Sequence, residues 1–167
     1  MTSRSPEPRP RTLVIGIGND LASDDGAGLH VVGLLEASHG TGLREGVRLL
    51  KLGLIDVDII EILRGAREAW IVDACLLGHP PGTILEFSLD ALPPHYKSPV
   101  SSHGLSLADI IRMGNVLFPD EMPGTLSFIL IEGGSFEISA GGLSPAVRRS
   151  ADEVAGKLAR KLGHSPV

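Results

Sequence analysis

Apolar residues along the chain alternate between short unbroken runs and stretches in which they recur every three or four positions. Thr12-Leu13-Val14-Ile15 is such a run, closed by Gly16, and suits a strand buried on both faces. Leu29, Val32 and Leu35 then recur at helical spacing over about 26–38, with Gly40 as the stop. Val47-Arg48-Leu49-Leu50 predicts a second strand, and Ile55 to Leu63 a short helix ended by Gly65. Ala69 to Val72 predicts a third strand running into Asp73, and Thr83 to Phe87 a fourth, with only partial alternation, that suits an edge. Residues 90–102 hold Pro93, Pro94 and Pro99 and read as a long loop, which in a domain this small points to function. Leu107, Ile110, Ile111, Gly114 and Leu117 mark a third helix, with Ser106 and Asp109 spaced as a capping box. Leu126 to Ile131 is the fifth strand. The last helix starts at Ser144 as N-cap with Pro145 at N1 and runs to Leu162.

Strands that alternate with helices imply right-handed crossovers packing a helix on each sheet face. The expected fold is therefore α/β, a three-layer α/β/α sandwich around a mostly parallel, about five-stranded sheet. With 167 residues, 43% of them hydrophobic, one core is expected over residues 11–163, between a flexible tail at 1–10 and a short tail at 164–167. A net charge of −5 with scattered Lys and Arg argues against nucleic acid. No apolar run approaches a membrane span and no secretory h-region stands at the start, so a cytoplasmic protein is expected. The lone cysteine, Cys75, has no partner for an internal disulfide and sits where core packing is the simpler reading than a nucleophile.

Ligands of doubly wound sheets bind beyond the carboxyl ends of the strands, where successive connections leave in opposite directions. Acids gather there: Asp20, Asp24 and Asp25 follow strand one, and Asp73 follows strand three. The loop Gly16-Ile17-Gly18-Asn19-Asp20-Leu21 fails as a dinucleotide fingerprint. Leu21 stands at the third glycine position, Lys51 rather than an acid closes strand two, and the aspartates repel phosphate. Its glycines are better read as allowing tight turns and close backbone approach. Asp24 suits an N-cap or first-turn acid. Asp25 beside Asp73 is different, because two close carboxylates resist joint ionisation unless a cation or a proton lies between them. His103, at the end of the proline-rich loop, is the expected third partner, giving an open set suited to zinc, nickel, manganese or iron. No Ser-His-Asp or Cys-His grouping and no His-Glu-x-x-His helix is present.

At these residues the chain resembles the hydrogenase maturation proteases. The resemblance is carried by Gly16-Ile17-Gly18-Asn19, Ser23-Asp24-Asp25-Gly26-Ala27-Gly28, Val72-Asp73-Ala74, His103-Gly104-Leu105 and Gly142-Leu143-Ser144-Pro145, in that order. It implies an aspartyl-type endopeptidase that trims the C-terminal extension from the large-subunit precursor of a nickel-iron hydrogenase after nickel insertion. It places the metal-contacting, catalytic set on Asp25, Asp73 and His103. The nickel is then expected to arrive with the substrate, and other divalent metals to substitute for it. Where strand two ends, relatives commonly read Asp-Gly-Gly-Thr and this chain reads Lys51-Leu52-Gly53-Leu54, so a cation replaces an acid beside the expected cleft. That departure leaves an altered substrate tail, or a non-catalytic chaperone that senses the metal-loaded subunit, as the alternatives. Glu132 matches an acid after strand five, with Gly133 where a proline is usual.

Overall fold

A computed structural model describes residues 12–38, 43–96, 104–138 and 141–163. The expected tails at 1–10 and 164–167 lie outside these residues, as does His103. The chain runs β1 (Thr12–Ile17), α1 (Ala27–Ala37), β2 (Val47–Leu52), α2 (Ile59–Leu63), β3 (Glu68–Cys75), β4 (Ile84–Ser88), α3 (Leu107–Leu117), β5 (Thr125–Glu132) and α4 (Pro145–Leu162).

These strands form one five-stranded sheet in the order β2-β1-β3-β5-β4, parallel except for β4, which pairs antiparallel with β5 at the edge. The alternation of side chains along each strand divides the interior in two. Leu13, Ile15, Ile17, Ile71, Phe128 and Leu130 pack under α2 and α3, while Val14, Val72, Ile129 and Ile131 pack under α1 and α4. The three-layer α/β/α architecture expected from the sequence is the one observed. Because β2 and β3 flank β1, the connections through α1 and α2 leave in opposite directions, and the switch point falls between the carboxyl ends of β1 and β3.

Three boundaries differ from the sequence reading. β3 continues through Asp73 to Cys75, so Asp73 lies within the strand rather than after it. A carboxylate breaks the apolar pattern without breaking the ladder, since Asp73 keeps its register opposite Leu130. The second helix covers only Ile59–Leu63, because Ile55 packs into the core from the preceding loop. The proline-rich segment is folded as far as Tyr96: a 3-10 turn at Leu89–Ala91 and a bond from the Tyr96 amide to the Pro93 carbonyl turn Leu89, Leu92 and Tyr96 into the core.

Glycines bring the switch point together. A Cβ on Gly16 would collide with the backbone of Gly28, and one on Gly28 would collide with the carbonyls of Val72 and Ile17. Helix α1 therefore starts directly on the edges of β1 and β3, as the close-approach reading of these glycines requires.

Candidate active site

The β1–α1 connection carries Asp24 and Asp25 in a 3-10 turn, Ser23–Gly26. Their side chains have different fates. Asp24 is buried and does not cap α1. Its Oδ1 accepts from the Ser144 amide at 2.7 Å, and its Oδ2 accepts from the Gly134 amide at 2.8 Å and the Ser144 hydroxyl at 3.1 Å. Asp24 thus ties the β1–α1 loop to the β5–α4 loop, which corrects the N-cap reading. Ser144 does hold the N-cap position before Pro145, but its hydroxyl serves Asp24 rather than the helix. Ser23 adds a second tie, its hydroxyl donating to the Glu137 carbonyl at 2.9 Å.

Asp25 is half-buried, and burial pushes its carboxyl above the ordinary range, against the lowering effect of the Asn19 amide. Asp73 is fully buried on the α2/α3 face of β3. Its Oδ1 accepts from the Ala74 amide at 2.8 Å and its Oδ2 from the Tyr96 hydroxyl at 2.7 Å. Burial pushes Asp73 up to about 8; the Tyr96 hydroxyl opposes this, the negative charge of Asp25 adds to it, and the Ala74 amide opposes it. The negative charge of Asp25 reaches Asp73, so the two carboxylates resist ionising as a pair. His103, the third residue of the expected set, lies outside the described residues. Among the described residues no group of three His, Cys, Asp or Glu is placed to hold a metal.

Lys51 does not stand among these carboxylates. Its ammonium pairs with Glu36 of α1 at 2.7 Å and fills the space left by the missing side chain of Gly33. Lys51 thus lies on the α1 face of the sheet, whereas Asp73 lies on the other. It lines a cleft of about 380 Å³ with Asp20, Ser23, Gly26, His30 and Arg148.

Two further groups were invisible to sequence reasoning or were under-read. Tyr96, the only tyrosine, lies in a proline-rich loop with no periodicity to mark it. Glu132 is an anchor: its carboxylate accepts from the amides of Leu77 and Gly78 and from the Cys75 thiol at 3.2 Å. Burial raises its carboxyl, but the amides of Leu77 and Gly78, the thiol and the amide of His79 outweigh this and hold it low. Burial first, then Glu132, push the Cys75 thiol far above its ordinary value, so Cys75 is a packed core residue without thiolate character.

Fold and site together define a small doubly wound α/β protein with an acid pair at the switch point of its sheet. The sequence pattern of the hydrogenase maturation proteases matches residues 29–161. The hydrogenase expression/formation protein HupD of Rhodobacter capsulatus is 29% identical over 153 residues, covering 91% of this chain and 71% of its own length. The hydrogenase 2 maturation protease of Escherichia coli K12 is 28% identical over 138 residues, 82% of this chain and 81% of its own. Among solved structures, the hydrogenase-maturating endopeptidase HybD of E. coli superposes with a TM-score of 0.74 at 26% identity over 89% of each chain. A maturation protease HycI of Thermococcus kodakarensis, at 21% identity and a TM-score of 0.69, shares the fold over 93% of this chain and 94% of its own. The chain belongs to the hydrogenase maturation protease family, a family of peptide-bond hydrolases.

Proposed function

We propose that this protein is a cytoplasmic endopeptidase that removes the C-terminal extension from the large-subunit precursor of a nickel-iron hydrogenase once nickel has been inserted. The observation that carries the reading is Asp73, fully buried at the switch point with a donor on each oxygen and within electrostatic reach of Asp25. Two acids held in this way form a receptor for a divalent cation, and the nickel of the precursor is the cation that arrives with the peptide to be cut. Asp25, Asp73 and His103 receive it, and other divalent metals of borderline hardness substitute in the same oxygen and nitrogen set. With a metal held there, the chemistry it would supply is polarisation of the scissile carbonyl and acidification of bound water. On the protein side, Asp25, the more exposed carboxylate, takes a proton from the water that adds to the carbonyl and returns it to the leaving amine as the C–N bond breaks, while Asp73 holds the metal end of the substrate. Such a carboxylate-assisted route is of the aspartyl type.

The test incubates nickel-loaded precursor with the wild type, Asp25→Asn, Asp73→Asn and His103→Ala, and follows tail loss by intact mass. Processing is expected to fall at least about 100-fold in each variant, on the scale of removing a general base or an electrostatic group. Undiminished processing by all three variants ends the proposal. Stable binding of the precursor by the wild type with no loss of the tail would instead favour the non-catalytic chaperone.

A further inference from the structure

We infer that Tyr96 is a positioning residue for the carboxylate pair: its hydroxyl fixes the plane of the Asp73 carboxylate and so sets the affinity of the pair for a divalent metal. The inference rests on the reading that Asp25 and Asp73 receive such a metal.

The terminal torsion of an aspartate is broad, so burial alone does not fix the carboxylate plane. Here each oxygen has its own donor from a different part of the fold. The Ala74 amide, on the backbone of β3, donates to Oδ1 at 2.8 Å, and the Tyr96 hydroxyl donates to Oδ2 at 2.7 Å. Ala74 is fixed by the β3–β5 ladder, in which it lies opposite Ile131. Tyr96 is 7% exposed and meets Phe128 of β5 edge-on, with ring centroids 6.4 Å apart and planes at 69°. The carboxylate is thus clamped between two donors that cannot follow it if it turns. Each ionised carboxylate oxygen can accept twice, and these donors take one position on each. Groups that orient metal-binding side chains in this way are typically worth 10–100-fold in metal affinity or activity. The hydroxyl touches no reacting atom in this scheme; it acts through Asp73.

Tyr96→Phe removes the hydroxyl and keeps the ring against Phe128. Ni²⁺ is titrated calorimetrically into the full chain of the wild type, Tyr96→Phe, Asp73→Asn and Ile110→Val, and the melting temperature of each is measured. The last variant trims a methyl group from the same buried core without touching a hydrogen bond of Asp73. Tyr96→Phe is expected to weaken Ni²⁺ binding about 10–100-fold with its melting temperature within about 4 °C of wild type. Ile110→Val should lower the melting temperature while leaving Ni²⁺ affinity within threefold. Where Ni²⁺ alone does not saturate the wild type, the rate of tail removal from nickel-loaded precursor is read on the same four proteins by the same criteria. Wild-type behaviour of Tyr96→Phe, together with loss in Asp73→Asn, overturns the positioning role and leaves the site reading intact. A loss in Tyr96→Phe that Ile110→Val matches at equal destabilisation also overturns it, since general loosening would then account for the effect. Wild-type behaviour of Asp73→Asn overturns the site reading and this inference with it.

Discussion

Asp73 is costly to the fold when it is ionised, and that cost has a sign that can be measured. An unfolded aspartate titrates near ~3.9, whereas Asp73 in the folded chain is pushed up to about 8. The folded state therefore holds this proton more tightly than the unfolded state does. The stability gained in this way is complete below the unfolded value and is lost as pH rises through the folded one, across a window from ~4 to ~8. The integrated loss is on the order of a few kcal/mol. Denaturant melts of metal-free wild type and Asp73→Asn at pH 5 and pH 8 test this. The variant is expected to gain on the wild type as pH rises, and a difference independent of pH would show that Asp73 titrates normally. The same burial explains why the sequence could place Asp73 but not weigh it. A carboxylate after an apolar run looks alike whether it ends a strand in water or continues the strand into the core. The closing of α2 and α3 over that face decided the matter.

At the scale of elements, the β1–α1 connection is held less by its own sequence than by the far end of the chain. Asp24 accepts from Gly134 and Ser144, residues more than a hundred positions away, so its side chain is committed to the β5–α4 loop. Asp24→Ala is expected to destabilise the protein by about 1–3 kcal/mol, because it removes a buried carboxylate whose three hydrogen bonds tie the two loops together. The measurement is a urea melt, and a loss under about 1 kcal/mol would mean that water replaces the carboxylate without penalty. The local rules of helix starts were legible elsewhere. Ser106 and Asp109 form the expected capping box, with the Asp109 amide donating to the Ser106 hydroxyl at 3.1 Å, because both partners lie within one turn. Asp24 and Ser144 obey no such rule, since their partnership exists only after β1 and β5 have been brought to neighbouring edges by β3 between them.

For the whole molecule, the sheet acts as a partition between two chemistries at the same edge. Asp73 and Tyr96 lie on the α2/α3 side, and Lys51 lies on the α1 side with Glu36. Lys51 therefore bears on the cleft along α1 rather than on the charge balance of the acid pair. Neither Asp25 nor Asp73 owes its shifted titration to Lys51. Lys51→Ala is expected to cost less than about 1 kcal/mol, as befits a pair left roughly half in water. It should also leave the pH dependence of stability assigned to Asp73 unchanged. A shift of that dependence in denaturant melts would place Lys51 within electrostatic reach of the pair.

The sequence by itself determined the order and kind of nearly every element, the layered α/β/α arrangement, and the sheet edge at which the acids gather. Periodicity and turn chemistry act over a few residues and are written locally. Tertiary structure alone decided that Asp24 binds the β5–α4 loop, how far Asp73 is withdrawn from water, that Tyr96 reaches it, and that Lys51 pairs with Glu36 instead. These are matters of contact between segments distant in the chain and of the dielectric they create on closing, and no local pattern encodes either one.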